Sequence, residues 1–279
     1  MRDFSNDMEN LSLNTATVRQ RWNLEQIIDG CARHGIVDIS PWRDQVADCG
    51  LEKSAKLIRD AGLTVSALCR GGMFPAADAR GRQAAIDDNC RAIDEAVALG
   101  SRSLVLVVGG LPEGSRDLEG AREQVLDGMR SIQEYALSCN MPLAIEPLHP
   151  MYAADRACVN TLKQALDMCD RLGEGVGVAV DVYHVWWDPE LREQIMRAGR
   201  SGKLFGYHVC DWMVPTQDLL LDRGMMGDGV IDLKKIRGWV EEAGFNGKCE
   251  VEIFSAENWW KKDPDEVLKT CIERHQSVV

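Results

Sequence analysis

Two stretches decide the reading of this chain: PLAIEPLH at 142–149 and VGVAVDVYH at 176–184. Each is a short apolar run that ends on a carboxylate with a histidine three residues later. The first is Leu143-Ala144-Ile145, then Glu146 and His149; the second runs to Val180, then Asp181 and His184. Burying an unpaired carboxylate costs on the order of several kcal/mol or more, so each must meet a partner, a cation or water. The pattern predicts buried strands whose ends open into a polar site.

Working outward, apolar runs with strand character fall at 11–14, 36–40, 64–69, 103–108, 142–146, 176–181, 204–209 and 249–254. Between them lie segments with helical periodicity at 23–33, 51–61, 80–99, 118–138, 161–172, 189–198, 232–243 and 264–275, several closed by glycine. Eight strand–helix units in succession require a parallel sheet, because each helix carries the chain back across it. Eight such units close into an α/β barrel, which typically takes about 250 residues. An open doubly wound sheet would announce itself with GxGxxG after an early strand, and none is there. No linker or repeat divides the chain, so 1–279 is read as one domain, with 1–10 a flexible or strand-capping tail and 211–230 a long loop.

In such a barrel the active site lies at the C-terminal strand ends. The fifth to eighth strands bring Glu146, Asp181, His208 and Glu252 there. Three carboxylates and an imidazole make a hard, oxygen-rich set, suited to manganese, magnesium or cobalt rather than thiol-ligated zinc. Taken singly, such a residue is more often an ion-pair partner or a helix cap; four aligned on consecutive strands argue for a metal site. His149 lies past Glu146, free to titrate, and is the candidate general base, with Glu146 or Glu252 as alternatives. His184 reads as a contact to a substrate hydroxyl or as support for the ligands. His34 and His275 fall near helix ends, where they are expected to meet the last carbonyls.

Tryptophans 22, 42, 186, 187, 212, 259 and 260 all follow strands. Trp42 and Trp212 are read as part of a rim that stacks on a sugar or aryl glycoside, the alternative being that the rings pack loops or a subunit interface. Arg43, Arg70, Arg156 and Arg223 are expected at the mouth, where they could bind carboxylate, phosphate or sugar hydroxyls, or simply pair within the loops.

A net charge of −12 argues against a nucleic-acid partner. The ten cysteines include no CxxC and read as small core residues, with Cys210 the one candidate reactive thiol. The start is polar and acidic, unlike a signal peptide, and no apolar run reaches membrane-span length; the expected location is the cytoplasm.

The IEP ending the fifth strand, the DxxH of the sixth, the histidine of the seventh, the ExE of the eighth and MGDGVID at 226–232 together resemble the sugar phosphate isomerase/epimerase superfamily of xylose isomerase-like TIM barrels. The resemblance spans nearly the whole chain. It implies a (β/α)8 fold and an enzyme that removes a proton next to a sugar carbonyl through a metal-stabilised enediolate. Glu146, Asp181, His208 and Glu252 are then the ligands, commonly of manganese, and His184 and Arg223 substrate contacts. The EPLHPMYAADR segment looks more like the catalytic subunits of C-glycoside deglycosidases. By that likeness the enzyme is a lyase that cleaves 3-oxo-glycosides by elimination, with His149 as base and a small partner subunit. A homo-oligomer, a non-catalytic sugar-binding barrel and the multi-zinc endonuclease branch are the other readings; the last needs more histidines than this chain offers.

Overall fold

The computed structural model describes residues 2–279. Its strands are β1 (Leu11–Asn14), β2 (Asp38–Ser40), β3 (Thr64–Val65), β4 (Leu68–Gly72), β5 (Leu104–Val107), β6 (Leu143–Ile145), β7 (Val176–Asp181) and β8 (Leu204–Val209). A two-strand hairpin, β9 (Asp211–Trp212) and β10 (Arg223–Gly224), precedes β11 (Cys249–Val251). All pairings of the main sheet are parallel, in the order β3-β2-β1-β11-β8-β7-β6-β5-β4.

The two ends of that sheet are one stretch of chain. The third strand, expected at 64–69, breaks at Ser66 and Ala67, so β3 pairs with β2 and β4 with β5. Isolated parallel bridges from Trp42 to Cys69 and from Val65 to Ser101 carry the pairing across the break. The result is an α/β barrel of the TIM type with its third strand split, and the predicted fifth to eighth strands are β6, β7, β8 and β11.

Alternation along β1 shows how the layers form. Leu11 and Leu13 point outward to the helices and are fully buried, while Ser12 and Asn14 point inward to Ser66 and Glu250. The helices are α1 (Leu24–His34), α2 (Arg43–Cys49), α3 (Leu51–Asp60), α4 (Ala79–Leu99), α5 (Leu118–Ser138), α6 (Leu162–Leu172), α7 (Val182–Val185), α8 (Leu191–Arg200), α9 (Leu233–Glu242) and α10 (Pro264–Ser277). Side chains cap most N-termini; Asn23 and Gln26 form a reciprocal capping box on α1. No described helix is long and apolar enough to cross a membrane.

Three expectations need revision. Residues 2–10 are pinned beneath the barrel: Phe4 stacks on His275 at 4.4 Å, and Asp7 meets His275 Nε2 at 2.7 Å. His34 and His275 therefore pair with carboxylates, Asp265 and Asp7, rather than with helix carbonyls. The 211–230 loop carries the β9–β10 hairpin, which brings Arg223 into the barrel mouth.

Candidate active site

Each of the four strand-end residues gets its position from β geometry. Asp181 is the last residue of β7 and opposes His208 of β8 in register. Glu146 follows β6, and Glu252 follows β11 with its amide bonded to Val209 O at 3.1 Å. One ligand atom from each of Glu146, Asp181, His208 and Glu252 lies within 4.8 Å of the others, and all four residues are buried.

Several of these atoms lack an internal partner. Glu146 Oε1 and both His208 ring nitrogens are buried without a hydrogen bond. Glu146 Oε1 and His208 Nδ1 are 2.8 Å apart but not aligned for N–H donation, so contact alone does not satisfy them. Buried polar atoms left this way are costly, and a cation at their common focus would satisfy both. The donor set and the orphaned atoms therefore fit a divalent metal.

The electrostatics agree. Burial, reinforced by Glu146 and Asp181 and opposed by Arg223, pushes the Glu252 carboxyl up to about 8. Burial alone would raise Asp181 too, but Arg223, His184 and His208 hold it below its ordinary value. Arg223 Nη1 donates to Asp181 Oδ2 at 2.9 Å and to Glu252 Oε2 at 3.0 Å. Burial pulls His184 down to about 4, so the imidazole is neutral near pH 7. The His149 backbone N–H approaches His184 Nδ1 at 3.2 Å, which leaves the ring proton on Nε2. That Nε2 lies 3.2 Å from Arg223 Nη2. With the proton on Nε2 this contact is not a hydrogen bond, and both N–H groups stay available to an acceptor oxygen in the cavity that His184 and Arg223 line.

Above the cluster is a cavity of about 430 Å³, within the range of small-molecule sites. Its walls include Trp42, Arg70, Glu146, Tyr152, Arg156, His184, Arg223, Glu252, Phe254 and Trp260. Trp42 and Arg70 are therefore where the sequence put them. Trp212 and His149 are not on this wall. Their rings stack on each other at 5.0 Å, and His149 Nδ1 accepts from the Met151 amide at 3.3 Å. His149 caps the short turn Pro150–Tyr152 through its ring nitrogen, and burial lowers its basicity. His149, the general-base candidate, is therefore not among the groups that line this cavity. Arg43 is likewise committed elsewhere, to Asp88 and Glu95. Cys210 is fully buried with its thiol pushed up, the opposite of a reactive thiolate.

Sequence reasoning missed Asn14 and Glu250. Asn14 Nδ2 donates to Glu250 Oε1 at 2.8 Å and to Glu252 Oε1 at 3.0 Å, while its Oδ1 accepts from Trp42 Nε1 at 2.8 Å. Glu250 also lies 3.7 Å from His208 Nε2. The ExE spacing carried this signal, since residues two apart on a strand share a face.

A parallel barrel with a buried acidic–histidine cluster at its C-terminal mouth defines a class of metal-type barrels. The chain belongs to the xylose isomerase-like TIM barrel family, whose model matches residues 25–271. It is 26% identical over 282 residues to a Bacillus velezensis protein named inosose isomerase, covering 96% of each. A crystal structure of a Sinorhizobium meliloti 1021 protein shares 58% identity and a TM-score of 0.96, covering 98% of this chain and 99% of that one. The IOLI protein, solved with a zinc atom, shares the fold at a TM-score of 0.83 and 23% identity, covering 97% of this chain and 98% of that one.

Proposed function

We propose that this protein is a divalent-metal-dependent isomerase or epimerase of a keto sugar or a keto cyclitol of the inosose kind. The observation that carries the reading is the convergence of Glu146, Asp181, His208 and Glu252 on one point at the cavity floor. Full-length relatives bearing the name inosose isomerase support the enzyme class and the substrate type.

When bound, a divalent cation there supplies Lewis-acid polarisation of a carbonyl and its neighbouring hydroxyl. The chain's own residues do the rest. His184 Nε2–H and the Arg223 guanidinium offer donors to substrate oxygens and to the negative charge that develops on them. Glu146 and Glu252 come from β6 and β11, separated in the sheet by β7 and β8, so they stand on different walls of the mouth. Either can take the proton from the carbon beside the carbonyl, and return to another face or carbon completes the isomerisation. Trp42, Phe254 and Trp260 offer apolar faces to the ring's C–H groups and limit water. Among metals we favour manganese, on the hardness of a three-carboxylate, one-imidazole set. All ten cysteines are free thiols, which supports a reducing compartment and our placement in the cytoplasm.

The test is solvent exchange. Inososes and ketohexoses are incubated in deuterated water with the protein and manganese, magnesium, cobalt or zinc, and the C–H next to the carbonyl is followed by NMR. The expected result is loss of that signal with at least one pair, abolished by Glu252→Gln. A protein that binds metal yet exchanges no substrate under any pairing would rule the reading out.

A further inference from the structure

Four arginines line the cavity: Arg19, Arg70, Arg156 and Arg223. Two have carboxylate partners, Arg19 with Asp44 and Arg223 with Asp181 and Glu252. Arg70 and Arg156 have none: among the described residues, neither side chain makes an ion pair or a hydrogen bond. Arg156 has only the face of Tyr152, at 5.7 Å. Scarcity of acids does not explain this, since the chain carries 44 Asp and Glu against 32 Lys and Arg.

The backbone takes trouble to put these two groups there. In the β4–β5 ladder Cys69 pairs with Val105 and Gly71 with Leu106, so Arg70 is the extra residue of a β-bulge. Without the bulge, Cys69 and Arg70 would face opposite sides of the strand; with it, both line the cavity. Just past the bulge Gly72 lets the strand stay close to β5, since at φ +108° a Cβ there would lie 1.9 Å from Val107 O. Arg156 is fixed by its own amide to Tyr152 O and by its carbonyl to the Gly109 amide, each at 3.0 Å. Burial, and then the like charge of Arg156, hold the Arg70 guanidinium below its ordinary value, and the nearby Glu146 carboxylate offsets them only in part. An anion beside the two would relieve both, and the planar guanidinium fork matches a pair of oxygens on a carboxylate or a phosphate.

The geometry points to a second subsite at the Arg70–Arg156 wall that takes an anionic substituent, a carboxylate or a phosphate monoester, on a sugar or cyclitol whose ring lies at the Glu146–Glu252 cluster. It deepens the isomerase reading and rests on it for the kind of ring, not for the anion. The cavity is then two-poled, with acidic groups gripping the reacting end and arginines the charged end.

Titration calorimetry on the purified protein, with and without manganese, tests this with two matched pairs: fructose against fructose 6-phosphate, and glucose against glucuronate. The expected result is that one anionic member binds about ten-fold or more tightly than its neutral parent. Whichever pair shows the preference assigns the anion as phosphate or carboxylate. Arg70→Gln with Arg156→Gln should abolish the advantage, and the corresponding double lysine variant should restore part of it; thermal melts confirm that each variant is folded. Equal affinity within both pairs, or an advantage that survives the double glutamine variant, overturns the subsite. Calorimetry reads binding without turnover. An anion preference without deuterium exchange therefore keeps the subsite and removes the isomerase, and exchange on neutral ketoses without a preference does the reverse.

Discussion

Arg223 donates to Asp181 at 2.9 Å in a site where both side chains are almost entirely buried, and the same nitrogen also serves Glu252. One guanidinium is thus the main internal counter-charge for two of the four clustered residues. Removing it leaves the Asp181 carboxylate without its main counter-charge in a buried setting. Arg223→Met should cost the metal-free protein about 3–5 kcal/mol of stability, the range for breaking a buried pair. Added manganese should raise the variant's Tm more than that of the unaltered protein. Thermal melts with and without the metal check both, and a variant as stable as its parent without metal contradicts the assignment.

The cluster itself predicts which side chains hold the metal. Asp181→Asn or Glu146→Gln removes one charged oxygen ligand and should weaken manganese binding at least about a hundred-fold, while His149→Ala should not change metal content. Metal analysis after gel filtration separates the cases.

Glu252 gives the pH dependence. Its carboxyl, raised to about 8 in the folded metal-free state, is protonated at neutral pH, and a cation must displace that proton. Metal affinity should therefore fall as pH drops below 8, by up to about ten-fold per unit. For the metal-free fold the sign runs the other way: this group's contribution is fully present below the ordinary carboxyl value of 4.5 and is lost as pH rises through about 8. Melting curves between pH 5 and 9 should show manganese stabilising most at the alkaline end.

Asn14 is a positioning residue whose two donations hold Glu250 and Glu252 apart at fixed distances. Asn14→Leu should lower kcat by about 10–100-fold with a smaller change in KM, because an ill-placed Glu252 harms proton transfer more than ring binding. Asn14→Asp would add charge to an acidic pair and should be worse.

His149→Ala offers the sharpest contrast with a base on the cavity wall. With its ring stacked on Trp212 and its Nδ1 occupied by the Met151 amide, its loss should cost less than about ten-fold in deuterium exchange, whereas Glu252→Gln should abolish it. Equal losses in the two variants would return His149 to the reaction.

The four-residue cluster was legible because a carboxylate or imidazole at the end of an apolar strand has no packing role, and strand order then decides that such ends meet. The eight-unit barrel was legible for the same reason, from the alternation of periods. What stayed hidden depended on contacts distant in sequence. Nothing in Ser66-Ala67 marks a strand break, and the bulge at Arg70 exists only against β5. The stacking of His149 on Trp212 joins two loops distant in sequence, one of them folded back with Leu148 N bonded to Val159 O at 3.1 Å, which residue spacing does not encode. Glu250 is legible in the ExE spacing, since it shares a face with Glu252.

The split third strand has a consequence for how the molecule breathes. Elsewhere the staves are joined by hydrogen-bonded ladders, but around the break between β3 and β4 the ring is completed by the isolated bridges at Trp42–Cys69 and Val65–Ser101. Amide hydrogens along this seam should exchange faster than those of β6 and β7, because fewer bonds must open together there. Trp42, Cys69 and Arg70 all belong to that seam and all line the cavity. The barrel is therefore most compliant along one wall of its pocket, opposite a floor held stiff by charge, an arrangement that lets a rigid reacting centre admit rings with differing appendages.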